Sequence, residues 1–412
     1  MRRAPFPASV FLLLAGILRA DLATPVLQPT TVPSSGSFSE IAMGDYELWF
    51  TEPEANRIGR FRRFDGSFDE FAVPTPAAGL GGIAYGSGSG VWFTETAANR
   101  IGWIDPQGTI HEFPIPTPAS QPFGITVALD GAVWFTELAA SKVSRIDTQG
   151  VITEFSTPTA GSAPSRITQA PGFSGACFVE SNANRIGCVT AGATVTIREW
   201  VIPTPDSAPQ DIAFGGDGSV WFTEYEGNRI GRLQSDQIVE YPLPGPAGGP
   251  WNISASSSSS TAPIWFVERR NPSIRVAFIT PEGRFTEFAT PSSGDPTPLA
   301  ADCDRAWLAA GPLPGSITSV RPDALVLSGV GRAGSWETTF HIGNPLEREA
   351  SMYVGLGFSA ATICPGQCFN SLVTDLPSLG SVSAGPDSAP FSGGPFSFYA
   401  REVGGGDRKS VV

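Results

Sequence analysis

Positive charge is scarce in this chain: lysine occurs only twice in 412 residues, at Lys142 and Lys409, and histidine only at His111 and His341. With 26 basic against 39 acidic residues the formal net charge is -13. So acidic a chain has no broad electrostatic hold on nucleic acid or an anionic membrane, and neither is expected as a partner. Beyond the first twenty residues no apolar run is long enough to span a bilayer. The pattern also lacks a nucleophile elbow, a phosphate-binding loop and zinc-ligand spacing. Glycine and proline are plentiful, at 47 and 38, and charged residues make up only 16%. Together with frequent Val, Thr, Phe and Trp, this composition favours strands and turns, and the expected class is all-β.

The single long apolar run lies at the start. Arg2 and Arg3, the run Val10 to Leu18, and small residues at Ala20 and Ala23 have the layout of a secretory signal peptide, so residues 1–20 read as that signal, with an alternative end at 23. A secreted or periplasmic protein is expected, and disulfide use fits such a compartment.

One phrase recurs every 42 to 44 residues: Trp49-Phe50-Thr51-Glu52, then phrases starting at Trp92, Trp134, Cys177, Trp221, Trp265 and, weakly, Trp307. Each period reads as four short strands, and a period in this range marks a propeller blade. Seven copies predict a seven-bladed β-propeller over residues 24–321. Trp and Phe stand side by side because neighbouring blades cover both faces of that strand. The seventh period lacks a clear fourth strand, so the N-terminal strand is expected to close the last blade.

The Glu ending each phrase and the base opening the next strand are five residues apart, as in Glu52/Arg57 and Glu95/Arg100. These read as cross-turn ion pairs rather than as a ring of acidic ligands, and Asn56, Asn99, Asn184 and Asn228 as turn residues. The fourth blade differs in two places at once. Cys177 and Cys188 replace the residues that face each other in other blades and are centred on the same point of the hairpin as Glu180 and Arg185. A disulfide is predicted. Cys364 and Cys368 form a second candidate pair, leaving Cys303 odd.

The phrases Val-Trp-Phe-Thr-Glu, Asn-Arg-Ile-Gly-Arg, Ile-Thr-Glu-Phe, Pro-Thr-Pro and Pro-Phe-Gly-Ile resemble the streptogramin B lyase (virginiamycin B lyase) family of seven-bladed propellers. That resemblance implies opening of a cyclic depsipeptide antibiotic by elimination at its ester, with magnesium and a histidine base. Family lyases place one His in the turn opening the sixth blade and a second in that of the seventh, with a Glu two residues before it and another after the seventh Trp-Phe strand. Here those positions carry Trp251, Thr297, Asp295 and Gly311. No catalytic residue is therefore assigned, and no cofactor is expected; magnesium belongs only to the alternative reading, a lyase-type carbon–oxygen eliminase. Lactonase-like propellers with a calcium site form a third class without support in the pattern. His111 falls in an outer strand and His341 outside the propeller, and both read as surface residues.

Ligand contacts are expected where the blades differ. The turns entering the first strands carry Gly81, Phe123, Arg166, Asp211, Trp251 and Thr297, so the candidate binding rim is Phe123, Arg166, Asp211, Trp251, Asp295 and Thr297, with Trp251 as a stacking platform. The functional expectation is an exported, monomeric, non-catalytic propeller that binds a small molecule, glycan or protein on this rim. Ser256 to Ser260 reads as a surface loop. Residues 322–403 alternate like a small β-sandwich of the kind appended to secreted bacterial proteins, and 404–412 read as an artefactual tail that leaves this second domain incomplete.

Overall fold

The computed structural model describes residues 26–31 and most of 37–321, with six short strands between 339 and 411. Outside the description lie residues 1–25, 32–36, 171–174, 245–247, 256–259, 271–272, 294–297, 302–304, 310–315, five single loop positions, and the rest of the chain after 321. The proposed signal peptide, most of the 256–260 loop, Cys303, Cys364 and Cys368 therefore fall outside it.

Seven four-stranded antiparallel sheets make up the propeller, and the inner strand of each blade touches the inner strand of the next around a closed ring. Blade 2 is representative: Leu80–Gly86, Gly90–Glu95, Arg100–Ile104 and Ile110–Pro114, from the axis outward. The last blade has mixed origin. Leu299–Ala301, Ala306–Leu308 and Ser316–Arg321 supply its inner strands, and Val26–Thr31 from the start of the chain pairs antiparallel with Ser316–Arg321 as the outer one.

Packing explains the repeated phrase. In blade 3 both Trp134 and Phe135 are fully buried, each facing a different neighbouring blade. In blade 2 the Phe of the corresponding strand lies against a glycine of the third strand: Phe93 pairs with Gly102, where an added Cβ would approach the ring to 2.1 Å. Only a residue without a side chain leaves that space.

The Glu/base reading is half right. Glu52 and Arg57, Glu95 and Arg100, Glu137 and Lys142, Glu180 and Arg185, and Glu224 and Arg229 are register partners. Yet each of these glutamates is completely buried, and bases at this position form ion pairs with the fourth strand: Arg57 with Glu70, Arg100 with Glu112, Lys142 with Glu154 at 2.9 Å and, in blade 6, Arg275 with Glu287 at 2.6 Å. A long side chain at a strand end reaches outward to solvent more cheaply than it follows a carboxyl into the core.

The fourth-strand glutamates also tie blade to blade. Glu112 accepts from the backbone N–H and the hydroxyl of Thr75, Glu154 from Thr117, Glu199 from Thr159 and Glu240 from Thr204, each Thr lying in the connection that leaves the preceding blade. Asn56, Asn99, Asn184 and Asn228 all have positive φ, near 50 to 58°, as turn residues do. The Asn99 side chain donates to the carbonyls of Ile115 and Thr117 and accepts from the N–H of Ser120.

Cys177 and Cys188 are register partners and form the predicted disulfide, with Cα atoms 4.0 Å apart. Beyond the propeller, Thr339–Ile342 pairs with Ala350–Tyr353, and Leu372–Leu376, Gly380–Ala384, Phe398–Glu402 and Lys409–Val411 form one antiparallel sheet. The terminal segment thus includes a paired strand.

Candidate functional site

A cavity of about 270 Å³ runs along the propeller axis, bordered by the inner strands of all seven blades. Its mouth is organised by a bulge. In blades 2 to 6 the register between first and second strands slips between the opening residue and the Ile three positions later, as between Pro122 and Ile125. Two residues therefore stand where a regular strand would place one. The outer of the two forms a rim, with Gly81, Phe123, Ser165, Gln210 and Trp251. The inner forms a throat, with Glu40, Gly82, Gly124, Arg166, Asp211 and Asn252.

The expected rim mixed these two levels. Phe123 and Trp251 belong to the rim; Arg166 and Asp211 lie one step deeper, because the bulge adds a residue to each turn. Asp295, Thr297 and Gly311 fall outside the described residues. Glu40 was not expected at all. The first blade opens Phe38-Ser39-Glu40-Ile41 without the proline that marks most other turns, so only alignment on Ile41, which pairs with Phe50, brings Glu40 into the set.

Threonines of the repeated phrase hold the two levels in place. The N–H groups of Glu40, Gly82, Gly124 and Asp211 donate to Thr51, Thr94, Thr136 and Thr223. The hydroxyls of Thr94, Thr136 and Thr223 then donate across to the carbonyls of Phe123, Ser165 and Trp251 in the following blade. Glycine is needed at the throat of blades 2 and 3, since a Cβ on Gly82 would lie 2.5 Å from the Phe123 carbonyl and one on Gly124 2.4 Å from that of Ser165. These blades contribute no side chain to the throat. That leaves room for an arginine to cross it.

Arg166, from blade 4, forms a salt bridge with Glu40 of blade 1, on the far side of the ring, and its guanidinium lies 4.8 Å from the ring centre of Phe123. Both charged side chains retain 17% exposure and line the cavity. Asp211 completes the cluster: its carboxylate accepts from the N–H of Ile253 and of Ile212, both at 2.9 Å, and from the Asn252 side chain. Burial pushes the Glu40 carboxyl above its ordinary range, Arg166 partly offsets this, and Asp211 adds to the rise. Burial likewise raises Asp211 against the pull of Arg166 and the backbone donors. For Arg166 burial works against the charge, but Glu40 and Asp211 outweigh it and raise its pKa. Two acids and one base thus share a poorly hydrated site, with one negative charge in excess when all are ionised.

At the rim, Trp251 is half-buried, and its ring meets Tyr225 of the neighbouring hairpin edge-on at 5.3 Å. No group of three or more metal-ligating side chains gathers among the described residues. Magnesium does not fit this throat, because the Arg166 guanidinium already occupies the field between the two carboxylates. His111 is on the outer strand of blade 2, hydrogen-bonded to Asp105 at 3.0 Å and stacked on Trp103, remote from the axis. Only the backbone of His341 is described.

Comparison with known proteins agrees with this architecture. The sequence profile of the virginiamycin B lyase family matches residues 26–318. A virginiamycin B lyase of Nocardia farcinica is 32% identical over 144 residues, covering 27% of this chain and 51% of that protein. The matched stretch thus spans about half the length of that relative. A streptogramin B lyase structure superposes with a TM-score of 0.66 at 32% identity, over 73% of this chain and 98% of that one. A catalytically inactive histidine-to-alanine variant of the Staphylococcus aureus virginiamycin B lyase, with quinupristin, gives a TM-score of 0.65 at 32% identity, over 72% of this chain and 98% of that one.

Proposed function

The chain belongs to the virginiamycin B lyase family, and we propose that this member keeps the ligand-receiving mouth of the propeller without the elimination chemistry. It would act as an exported, monomeric binding protein for a small molecule, glycan or protein segment. The observation that carries this reading is Trp251: where the family resemblance puts a histidine base, an aromatic ring stands at the outer position of the blade 6 bulge, packed edge-on against Tyr225. A general base contributes roughly 100- to 10,000-fold to rate, and an indole has no proton-accepting nitrogen to offer. The Staphylococcus aureus lyase supports the separation of binding from turnover, since its histidine-to-alanine variant is described as catalytically inactive and is seen with quinupristin. The Cys177–Cys188 disulfide supports export to an oxidising compartment.

A lyase of streptogramins is the second reading, favoured by the match to almost the whole length of a streptogramin B lyase structure. One experiment separates the two. The protein is incubated with quinupristin and magnesium and the antibiotic analysed by mass spectrometry, with binding followed in parallel by calorimetry. Intact quinupristin is the expected product, and magnesium-dependent ring opening above the buffer rate would overturn the binding-only reading.

A further inference from the structure

Three blades hold two carboxyl groups side by side. Glu95 and Glu112 in blade 2, Glu180 and Glu199 in blade 4, and Glu224 and Glu240 in blade 5 stand within hydrogen-bonding reach of each other. The second of each pair lies on the fourth strand opposite a glycine of the third, Gly102, Gly187 or Gly231, so no side chain comes between them. Two ionised carboxylates are acceptors only, and such a contact needs a proton on one of them. The surroundings decide which. Glu112, Glu199 and Glu240 each accept from a threonine N–H and hydroxyl, and Arg100 and Arg185 approach the first two at 3.4 and 4.0 Å. Glu95, Glu180 and Glu224 are completely buried. Among the described residues no side chain donates to Glu95, and Ser207, beside Glu224, already gives its hydroxyl proton to Asn184 at 2.8 Å. Blade 3 is built differently: Ser144 replaces the glycine and donates to Glu137, while Lys142 holds Glu154 at 2.9 Å.

We propose that these three acid pairs are proton-gated latches: each shares one proton, and its loss opens the tie between the fourth-strand glutamate and the threonine of the connection entering that blade. Of two like charges forced together, the outer one can yield. Glu112 and Glu199 lie on edge strands with side chains 12% and 9% exposed, whereas the inner acid is walled in on every side. Turning outward relieves the repulsion and releases Thr75, Thr159 or Thr204. Those connections run straight into the bulged turns at Gly81, Ser165 and Gln210, so the latches set how firmly the rim is held. The charged groups facing the inner acids are Arg100, Arg185 and Arg229, which keep their charge throughout, besides the paired glutamates themselves. Burial, with the facing carboxylate adding to it, pushes the inner acids up to about 7 in blades 2 and 4 and about 8 in blade 5. The latches are therefore closed in acid and open as pH rises through those values.

The test is amide hydrogen exchange of the full chain from pH 6 to pH 9, corrected for intrinsic exchange. Protection of Thr75, Thr159 and Thr204 is expected to fall about tenfold or more relative to Thr117, the same position before blade 3. Glu95→Gln, whose amide donates to Glu112 at any pH, should remove the response of Thr75 and leave those of Thr159 and Thr204. Infrared spectra of the unaltered protein should show protonated carboxyl groups at pH 6 that vanish by pH 9, a readout that stands even if the variant fails to fold. An equal fall at Thr117, a response of Thr75 that survives Glu95→Gln, or no protonated carboxyl at pH 6 would each overturn the latch.

Discussion

Replacing Glu224 with glutamine should stabilise this protein at alkaline pH and flatten its pH dependence. Glu224 ends the second strand of blade 5 and is completely inaccessible to solvent, with Ser207 and Glu240 beside its carboxyl group. Burial pushes its pKa up to about 8, and the neighbouring Glu240 carboxylate, fixed by Thr204, adds to the rise. Glu95 and Glu180, buried likewise in blades 2 and 4 beside Glu112 and Glu199, are pushed up to about 7. For such an acid the folded chain binds the proton more tightly than the unfolded chain. The stability it contributes is complete below the ordinary value of 4.5 and is lost as pH rises through about 8. Between pH 5 and pH 8 Glu224 alone could remove at most about 3 kcal/mol, and about 1 to 2 once relaxation and water entry are allowed for. Glutamine keeps the shape and the donor facing Glu240 but cannot ionise. Thermal unfolding of both proteins from pH 5 to pH 8.5 should show the unaltered chain losing on the order of 2 to 6 °C as pH rises, and the variant losing less. Stability that rises with pH over this window, or equal slopes for the two proteins, would refute the buried-acid account.

Other perturbations have equally direct readouts. Reducing the disulfide, or changing Cys177 and Cys188 together to serine, opens a loop of sequence separation 11 and should cost about 3 kcal/mol in denaturant unfolding; an unchanged midpoint after reduction would show that the link contributes nothing. Gly124→Ala forces a Cβ to 2.4 Å from the Ser165 carbonyl and should lower stability by about 2 kcal/mol or more, whereas Gly131→Ala, whose Cβ meets nothing within 4 Å, carries only the backbone cost of its positive φ of 80°. Calorimetry of both variants checks the difference, and equal losses would argue against the close approach of blades 3 and 4. Asn99→Ala removes four hydrogen bonds and leaves alanine at φ 58°, with an expected cost of about 2 to 3 kcal/mol by the same measurement.

The propeller was legible in the sequence because most blades repeat the same contacts: a Trp-Phe strand buried on both faces in five of them, and an Asn turn and a Gly opposite the Phe ring in four. Repetition turns packing into periodicity. The disulfide was legible for the converse reason, since Cys177 and Cys188 break the pattern together at facing positions. The throat was less legible. A bulge shifts side chains by one position without altering the spacing of Pro and Ile, so Arg166 and Asp211 read as rim residues, and Glu40 was hidden by a blade that lacks the opening proline. Partner choice was also beyond the pattern. Register fixed Glu95 opposite Arg100, but whether that carboxyl meets the base depends on depth, and the arginine turned to Glu112 instead.

The mixed origin of the seventh blade sets an order of events on the growing chain. Val26–Thr31 is the first strand of the ring to be synthesised, yet among the described residues it pairs with Ser316–Arg321, almost three hundred residues later. Six blades can form from neighbouring hairpins as they appear, while this strand waits with its backbone groups unpaired. Ring closure is then the last step, joining the two most distant parts of the propeller. A chain interrupted anywhere before residue 316 would hold well-formed blades and an open gap, with an early strand free to pair with a second molecule in place of its own.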